Sequence, residues 1–465
     1  MSELLILSAA RQAELIASGE VSGHEVFEFW RERAAGDSLG AYLWVADEAP
    51  DPAGTLPPVA VKDLFCVEGV PSSAGSRILE GHRPVYTATS VRNLQEAGAQ
   101  VLGKTNQDEF AMGSSNENSG YGPVQNPWNR GRVPGGSSGG SSAAVTAGTA
   151  PWAIGTDTGG SIRQPAALCG VVGLKPTYGA VSRYGMIAFA SSLDQCGPLT
   201  RDVTDSALML RALVGRDPCD STSLEFPGEL ALPSAERLDG LRFGSWGLGE
   251  EGLDPGVAEV YRRTLDRIEE LGGHVSEIEM PNARHGLSAY YVIAPAEASA
   301  NLARYDGVRY GRRSEAAELL DMYEQTRAEG FGPEVKRRIM IGAYALSSGY
   351  YEAYYGTALK VRTKIVEDFR SAFEAVDFVV TPTSPTVAFE LGERTADPLA
   401  MYLSDYFTVP MPLARVPAVS IPCGLSEGLP VGFQIAGPAF SEGRILDAAH
   451  ALERAIGFEG VPVGT

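Results

Sequence analysis

Short apolar runs alternate with amphipathic stretches along most of the chain. Apolar runs of about four to eight residues are typical of buried strands, and apolar residues recurring every three or four positions indicate helices. The first pattern predicts strands at residues 59–61, 100–103, 152–155, 241–245, 275–278, 377–382, 418–422 and 431–435. The second predicts helices at residues 9–18, 87–98, 141–147 and 257–271, and a mostly helical, tyrosine-rich region at 285–375. This alternation favours an α/β fold with one large sheet covered by helices on both faces.

Polar residues and glycines mark the ends of several of these helices. Ser8 is placed to cap the first helix, and Ser22 with Glu25 fits a capping box at the start of a second. Gly272 and Gly273 are typical of a helix C-terminus and end the helix that precedes them. The boundaries of these three helices are therefore predicted by side-chain chemistry as well as by periodicity.

The chain shows no internal repeat and no clear linker. Residues 217–240 contain Pro and Ser and are predicted to form a surface connection. We therefore expect a single domain over residues 1–465, with a helical N-terminal region at about 1–50.

Composition limits the class of protein. Of the 465 residues 44% are hydrophobic, which suits a large core, but no apolar stretch reaches the about 20 residues that span a bilayer. The first seven residues carry no basic segment of the kind found in signal peptides, so we expect a cytoplasmic protein without membrane contact. The five cysteines are odd in number and scattered, which argues against a disulfide framework or a zinc site.

The net charge of −20 comes from 58 acidic and 38 basic residues. A surface of this sign repels nucleic-acid backbones at long range. If the protein works on RNA, we expect another chain to hold the RNA.

The first candidate for chemistry is a Gly- and Ser-rich run, Pro-Gly-Gly-Ser-Ser-Gly-Gly-Ser-Ser at residues 134–142. A flexible linker is one interpretation, but the run lies between segments predicted to be ordered. A G-x-S-x-G nucleophile elbow is a second interpretation, yet an elbow needs a preceding strand and a histidine partner, and neither is evident. No Gly-Lys-Ser/Thr follows the glycines, which argues against a phosphate-binding loop.

The second candidate is Asp-Thr-Gly-Gly-Ser-Ile-Arg-Gln-Pro at residues 157–165. Gly159 and Gly160 tolerate backbone torsions in which consecutive N–H groups converge, and Pro165 suits a helix that begins near residue 162 or 163. Ser161 at this junction is placed to attack a carbonyl group while the N–H groups bind the developing oxyanion. A purely structural glycine turn remains the alternative.

Lys62 ends the apolar run that begins at Val59 and precedes Asp63. An ordinary lysine has a pKa of about 10.4, so it can act as a base at neutral pH only if it is desolvated or lies near positive charge. A lysine paired with Asp63 is the alternative interpretation.

Taken together and in this order, the three segments resemble the amidase signature family, whose catalytic Lys–Ser–Ser triad occurs in an Ala-Val-Lys-Asp strand and two Gly-Gly-Ser turns. Ser137 and Ser161 are 24 positions apart, as in the family pattern. The resemblance implies a large mixed, twisted sheet covered by helices, with Ser161 as nucleophile, Ser137 as bridging serine and Lys62 as base. It also implies a cis peptide bond between Gly136 and Ser137. The implied oxyanion hole consists of the backbone N–H groups of Thr158, Gly159, Gly160 and Ser161.

Within this family the chain is most similar to the glutamine-hydrolysing subunits of tRNA-dependent amidotransferases, over residues 104–113, 191–195, 297–307, 335–339 and 346–351. The substrate implied is glutamine, whose α-carboxylate and α-ammonium need one cation and one anion. The resemblance assigns these to Arg338 and Asp405. It places Tyr290 (or Tyr291) and Ser138 among the substrate contacts, and makes residues 285–375 a helical insertion that forms the pocket.

The same resemblance implies partners for the chain. No cofactor is expected in this chain, whereas ATP and Mg²⁺ are expected at the partner subunit. The assembly implied is a heterotrimer with the B and C subunits of the amidotransferase, in which the partner makes most of the tRNA contacts. Whether Gln-tRNA(Gln), Asn-tRNA(Asn) or both are made stays open. The alternatives are a free-standing amidase that acts on small or aryl amides, and a scaffold protein whose triad is vestigial.

Overall fold

A mixed sheet of eleven strands runs through residues 2–249 and 252–458, the part of the chain that the computed structural model describes. The strands are β1 (Tyr42–Val45), β2 (Val59–Lys62), β3 (Val101–Thr105), β4 (Trp152–Asp157), β5 (Val172–Lys175), β6 (Gln195–Thr200), β7 (Arg242–Ser245), β8 (His274–Glu277), β9 (Phe378–Pro382), β10 (Ala418–Ser426) and β11 (Leu429–Ala436). Their order across the sheet is β1-β3-β2-β4-β6-β5-β10-β11-β9-β7-β8. β2 pairs in parallel with β3 and β4, and β7 pairs in parallel with β8 and β9, whereas the other pairs are antiparallel.

Helices occupy most of the remaining regular structure. They are α1 (Ala9–Ser18), α2 (Gly23–Ala35), α3 (Thr89–Glu96), α4 (Gly139–Thr146), α5 (Arg163–Cys169), α6 (Val203–Leu213), α7 (Pro255–Glu270), α8 (Gly286–Asn301), α9 (Leu319–Gly330), α10 (Pro333–Ala345), α11 (Thr357–Ala375), α12 (Pro398–Tyr402), α13 (Pro410–Ala414) and α14 (Glu442–Ile456). None of the helices in the described ranges is long and apolar enough to cross a membrane.

Each face of the sheet buries its own hydrophobic cluster. Successive residues of a strand point to opposite faces, so Val59 and Val61 of β2 join the larger cluster. Ala60 between them joins a second cluster with Ala153 of β4, which Trp30 of α2 also enters. This arrangement confirms the predicted α/β fold with helices on both faces of one large mixed sheet.

Most of the predicted elements are present, although their ends shift by a few residues. The Ser22 hydroxyl accepts a hydrogen bond from the Glu25 N–H, and the Glu25 carboxylate accepts one from the Ser22 N–H, so the capping box is confirmed. The predicted helical region at 285–375 contains α8, α9, α10 and α11, and residues 217–240 contain no helix or strand. Strands β1, β5 and β6 and helices α6 and α14 were not predicted from the sequence, nor were the two short helices α12 and α13.

The parallel arrangement of β2, β3 and β4 brings three polar residues to one edge of the sheet. Lys62, Thr105 and Asp157 are the last residues of these strands. Because parallel strands end at the same edge, the segments that follow them meet there. This edge carries the candidate site.

Two helices of the insertion, α8 and α10, pack against each other near this edge. Gly342 of α10 lies so close to α8 that a Cβ atom at this position would be 1.9 Å from the Pro295 carbonyl oxygen. The obstruction is backbone, so no side-chain rotation can relieve it. The close packing of α8 on α10 therefore depends on glycine at position 342.

We expect Gly342→Ala to lower the free energy of unfolding by about 1–2 kcal/mol. Overpacking costs about 1–3 kcal/mol and exceeds the about 1 kcal/mol that alanine gains over glycine in helix propensity. Urea denaturation followed by circular dichroism measures the change. Gly36→Ala is the control, because a Cβ atom there meets its nearest neighbour at an ordinary 3.5 Å. Equal stability of the two variants would contradict the proposed packing constraint.

Candidate active site

Lys62 is fully buried at the carboxyl end of β2, and its amine lies among three hydroxyl groups. Nζ is 2.7 Å from Ser137 Oγ, 2.9 Å from Ser138 Oγ and 2.8 Å from Thr156 Oγ1. Asp63, the alternative partner considered for this lysine, instead forms a buried ion pair with Lys104 at 3.1 Å. The interpretation of Lys62 as a lysine paired with Asp63 is therefore wrong.

Burial lowers the pKa of Lys62 to about 7, against the opposing effect of the carboxylates of Asp108, Asp157 and Asp194. A neutral amine has two N–H donors and one lone pair, which matches three surrounding hydroxyls. The Ser138 hydroxyl already donates to the Thr156 carbonyl oxygen at 3.2 Å, so it accepts from the amine. The lone pair of Lys62 is then free to accept the proton of Ser137. The amine is thus placed to act as a base near neutral pH.

The first Gly/Ser turn is tied to the second by hydrogen bonds. The Gly136 N–H donates to the side-chain oxygen of Gln164 at 3.0 Å, and the Ser138 N–H donates to the Ser161 carbonyl oxygen at 3.1 Å. The peptide bond between Gly136 and Ser137 is cis, as the family resemblance implies. These contacts place the Ser137 loop directly against the Ser161 turn.

A buried ion pair fixes the start of the second turn. Both Asp157 carboxylate oxygens accept hydrogen bonds from the Arg163 guanidinium, at 2.8 and 2.9 Å, and Oδ2 also accepts from the Ile162 N–H at 3.3 Å. Although burial alone would raise it, the pKa of Asp157 is lowered because Arg163 lies beside it. The carboxylate therefore holds the N-terminus of α5 just behind Ser161.

The glycines of the turn are held from outside by threonine hydroxyls. The Thr158 hydroxyl donates to Asp194 at 2.7 Å, and the Thr408 hydroxyl donates to the Gly159 carbonyl oxygen at 2.7 Å. Gly160 has φ of 143°, a torsion that favours glycine, and a Cβ atom there would collide with Thr408.

Hydrogen-bonding groups of this turn remain available. Within the described residues, no acceptor pairs with the N–H groups of Gly159, Gly160 or Ser161, and the Ser161 hydroxyl also has no hydrogen-bond partner. Ser161 is 7% exposed, whereas Ser137 is completely buried. A nucleophile beside unpaired N–H groups can receive a carbonyl group and its oxyanion.

The predicted carboxylate ligand, Arg338, lies on α10 with only 3% of its surface exposed. Its Nε donates to Glu334 Oε1 at 2.8 Å, and its guanidinium carbon lies 5.2 Å from the ring centroid of Tyr291. The Tyr402 hydroxyl donates to the same Glu334 oxygen at 3.0 Å. Both Nη groups of Arg338 have no hydrogen-bond partner in the described part of the chain, so they are free to bind an anion.

The predicted ammonium ligand, Asp405, is buried close to this arginine. Its Oδ2 accepts hydrogen bonds from the Ser114 hydroxyl at 2.7 Å and from the Tyr291 hydroxyl at 3.2 Å. Burial raises the pKa of Asp405 to about 7. Thr408, three residues later, contacts both the Asp405 carbonyl oxygen and the Gly159 turn. Asp405 is therefore connected to the Ser161 turn by one short segment.

Both candidate tyrosines contact the site, but at different places. Tyr290 packs on the Gly159 turn, where a Cβ atom on Gly159 would be 2.7 Å from the Tyr290 ring. Tyr291 contacts Asp405 and stacks on Tyr402, with ring centroids 3.7 Å apart. Tyr290 and Tyr291 are therefore both candidates for lining the pocket, each at a different part of the site.

One predicted contact must be corrected. Ser138 was expected among the substrate contacts, but its side chain is completely buried beneath the turns. Its hydroxyl accepts from Lys62 and from the Thr156 N–H, and donates to the Thr156 carbonyl oxygen. The one donor and two acceptor sites of the Ser138 hydroxyl are thus all used inside the protein, so this hydroxyl supports the lysine and is not free to bind a ligand.

Several residues of the site were not predicted from the sequence. Thr156 and Ser114 carried a signal, because Thr156 directly precedes the second turn and Ser114 directly follows the 104–113 motif. Glu334 lies four residues before Arg338, the spacing at which opposite charges meet on a helix. Thr408 carried no local signal, since only the tertiary fold brings it to Gly159.

The cysteines form no disulfide bond, and no metal-binding cluster is found in the described part of the chain. All five cysteines are free, and only Cys219 among them is exposed. The described residues include no group of three or more His, Cys, Asp or Glu side chains arranged to hold a metal ion.

Comparison with known proteins gives matches over nearly the whole chain. The Amidase family profile matches residues 52–446, a range that contains every site residue described above. The chain is 54% identical over 448 residues to the A subunit of glutamyl-tRNA(Gln) amidotransferase from Moorella thermoacetica, covering 95% of this chain and 89% of that protein. It is 59% identical over 403 residues to the protein of the same name from Rubrobacter xylanophilus, covering 86% and 84%. The crystal structure of the corresponding glutamyl-tRNA(Gln) amidotransferase A subunit from Thermotoga maritima matches with a TM-score of 0.84 and 41% identity, covering 97% of this chain and 95% of that one.

We expect the reactivity of Ser161 to rise with pH through about 7 and then to level off. The Lys62 amine accepts a proton only when it is neutral, and its pKa is lowered to about 7. The rate at which a fluorophosphonate probe labels Ser161, measured from about pH 5.5 to about 9, tests this dependence. Lys62→Arg keeps a cation that does not deprotonate and is expected to slow labelling by about 10²–10⁴-fold.

Lys360→Arg is the matched control, because Lys360 is exposed on α11. A flat pH profile for the unmodified protein, or normal labelling of Lys62→Arg, would show that another group removes the serine proton.

Proposed function

The chain belongs to the amidase family, and from this membership we propose that it is the glutamine-hydrolysing subunit of a tRNA-dependent amidotransferase. The high identity to amidotransferase A subunits over nearly the full chain supports this function. The observation that carries it at the site is the buried Lys62 amine in contact with Ser137 Oγ, next to the turn that presents Ser161.

The first half of the reaction forms an ester between the enzyme and the glutamyl group. Ser161 Oγ attacks the side-chain amide carbon of glutamine, while its proton passes to Ser137 and the Ser137 proton passes to Lys62. The carbonyl oxygen becomes an oxyanion that the N–H groups of the 158–161 turn stabilise. When the carbon–nitrogen bond breaks, Lys62 returns the proton through Ser137 to the leaving nitrogen, and ammonia departs.

The second half releases glutamate. A water molecule attacks the ester carbon and gives its proton to the same relay. The ester bond breaks, Ser161 Oγ recovers a proton, and glutamate leaves with Lys62 neutral again. The relay is therefore unchanged after each turnover.

The pocket supports an amino acid substrate over a simple amide. The free Nη groups of Arg338 suit the α-carboxylate of glutamine, and Asp405 suits the α-ammonium group. Tyr290 lies against the Gly159 turn and Tyr291 contacts Asp405, so both rings are placed to line the pocket.

We further propose that the ammonia is used by partner subunits in the cytoplasm. Relatives of this chain are named as A subunits of glutamyl-tRNA(Gln) amidotransferases, which suggests a heterotrimer completed by the B and C subunits. The partner binds ATP and Mg²⁺ and makes most of the tRNA contacts, and this chain itself needs no cofactor. A net charge of −20 suits a chain that leaves tRNA binding to its partner.

We expect Ser161→Ala, Ser137→Ala and Lys62→Ala each to lower glutaminase activity by at least about 10³-fold, because the three residues act as one unit. Ammonia release from glutamine is measured on the chain co-expressed with its partner subunits. Mass spectrometry of the acid-quenched wild-type enzyme should detect a glutamyl ester on Ser161 that Ser161→Ala lacks. Normal turnover of the Lys62→Ala enzyme would disprove the proton route.

Two glutamine analogues test the pocket. 4-Aminobutyramide lacks the α-carboxylate, and glutaramate lacks the α-amino group. We expect Arg338→Ala to lower kcat/KM for glutamine by about 10²-fold or more, with little change for 4-aminobutyramide. Asp405→Asn should likewise lower kcat/KM for glutamine. It should change kcat/KM for glutaramate little, because glutaramate has no α-ammonium group for Asp405 to bind. Equal losses on glutamine and on the matching analogue would rule out these two roles.

A further inference from the structure

Two adjacent buried carboxylates, Asp108 and Glu109, lie in the 104–113 motif and form no hydrogen bond with the side chains of Lys62, Ser137 or Ser161, although the charge of Asp108 acts on the pKa of Lys62. We propose that they are positioning residues that set the enzyme's selectivity for glutamine. Glu109 holds the helix that carries Arg338, and Asp108 holds the turn from which Ser114 reaches Asp405. This inference rests on the proposed glutaminase function and adds the residues that place its two substrate ligands.

Glu109 binds the segment that begins α10. Its Oε2 accepts a hydrogen bond from the Gly332 N–H at 2.8 Å, and its Oε1 accepts one from the Ser76 hydroxyl. Gly332 is the N-cap residue of α10 and carries no side chain that could cap the helix itself. The Glu109 carboxylate therefore lies at the N-terminus of this helix, where a negative charge is favourable.

A side chain on Gly332 would displace the Glu109 carboxylate from this contact. A Cβ atom on Gly332 would be 2.4 Å from Glu109 Oε2. The neighbouring residues strengthen the contact, because Phe110 packs edge-to-face on Phe331 with ring centroids 5.7 Å apart. Phe110 holds the left-handed torsion φ of 50°, which non-glycine residues rarely adopt without such support. Glu109 and Phe110 therefore both contact the residues at the start of α10.

Helix α10 transmits this contact to the substrate site. Glu334 is on its first turn and Arg338 is one turn later, and the two are hydrogen-bonded to each other. A helix moves as a rigid rod over such a short distance, so a shift of Gly332 displaces the Arg338 guanidinium. The Glu109 carboxylate binds Gly332 and Ser76 and has no hydrogen bond to Arg338 or Asp405, so we infer that it acts on the substrate site through helix α10.

Asp108 fixes the opposite side of the pocket. Its Oδ2 accepts a hydrogen bond from the Asn116 N–H at 2.9 Å, and its Oδ1 accepts one from the Asn118 N–H at 3.0 Å. The Ser114 hydroxyl, two residues before this turn, donates to Asp405 at 2.7 Å. Removal of the Asp108 carboxylate would release two backbone N–H groups and let the turn carrying Ser114 move.

Replacing each carboxylate by a neutral amide should affect the two contacts differently. The Ser76 hydroxyl can rotate and accept from an amide at position 109, so Glu109→Gln should preserve the bond to Gly332. Both partners of Asp108 are backbone N–H donors, so an amide NH₂ at position 108 must face one of them. We therefore expect Glu109→Gln to be tolerated and Asp108→Asn not.

The experiment uses the chain co-expressed with its partner subunits, and measures kcat/KM for glutamine, 4-aminobutyramide and glutaramate. Glu109→Ala should lower the preference for glutamine over 4-aminobutyramide by about tenfold or more and leave its preference over glutaramate unchanged within about twofold. Glu109→Gln should restore the wild-type preference. Asp108→Asn should lower the preference for glutamine over glutaramate more than the preference for glutamine over 4-aminobutyramide. This difference is expected whatever the effect of the substitution on the overall rate.

A second variant guards against misfolding of Glu109→Ala. Gly332→Ala disturbs the same contact from the other side and should reproduce its selective loss. Glu324→Gln, at an exposed position of α9, is the matched control and should match the wild type. If Glu109→Ala and Gly332→Ala lower activity equally on all three substrates, the positioning role is refuted.

Failure of the proposed function gives a different result. If the wild-type complex does not hydrolyse glutamine, or Arg338→Ala does not lose its preference over 4-aminobutyramide, the proposed function itself is wrong. If both hold and the Asp108 and Glu109 variants keep wild-type preferences, only the positioning role of these two carboxylates is wrong.

Discussion

The chemistry of this protein depends on one constraint, which is that the amine of Lys62 must be kept out of water without a carboxylate in contact. Burial lowers its pKa to about 7, and three hydroxyl groups satisfy its hydrogen bonds without holding its proton. A direct ion pair would stabilise the protonated form and remove the base. Lys104 on the neighbouring strand β3 differs from Lys62 in this respect. It is equally buried, but its amine lies 3.1 Å from the Asp63 carboxylate.

The rest of the site follows from where the sheet places this amine. Parallel pairing of β2 with β4 brings Lys62 to the same edge as Asp157, and the turn after Asp157 presents Ser161. The two Gly/Ser turns can approach because backbone contacts join them, including the Ser138 N–H bond to the Ser161 carbonyl oxygen. Helices α8 and α10 lie near this edge and bring Tyr290, Tyr291 and Arg338 to the proposed substrate pocket.

The sequence pattern predicted those elements whose structure depends on neighbouring residues in the chain. The buried strand ending at Lys62 and the capping box at Ser22 depend on a few neighbouring residues, so the sequence alone indicated both. Strands β5 and β6 were missed because Gly173, Gly197 and Pro198 interrupt their apolar pattern, and only the neighbouring strands make these segments extended.

In the site, too, residues in short motifs could be predicted from the sequence, whereas contacts between distant segments could not. The resemblance predicted Lys62, Ser137 and Ser161 as the catalytic residues, and in the structure the Lys62 amine contacts the Ser137 hydroxyl. It could not separate the roles of adjacent serines, because whether Ser138 faces the lysine or the pocket depends on the fold of the whole turn. The contact of Thr408 with Gly159 joins residues 249 positions apart, and no short motif encodes it.

The raised pKa of Asp405 has a thermodynamic consequence for ligand uptake. Because burial raises its pKa to about 7, the Asp405 carboxylate takes up a proton more readily than an exposed aspartate does. If Asp405 binds the α-ammonium group as proposed, that positive charge favours the ionised carboxylate, and association with an amino acid releases protons into the medium. Calorimetric heats of association will therefore vary with the ionisation enthalpy of the buffer, and the apparent dissociation constant will fall as the solution becomes less acidic.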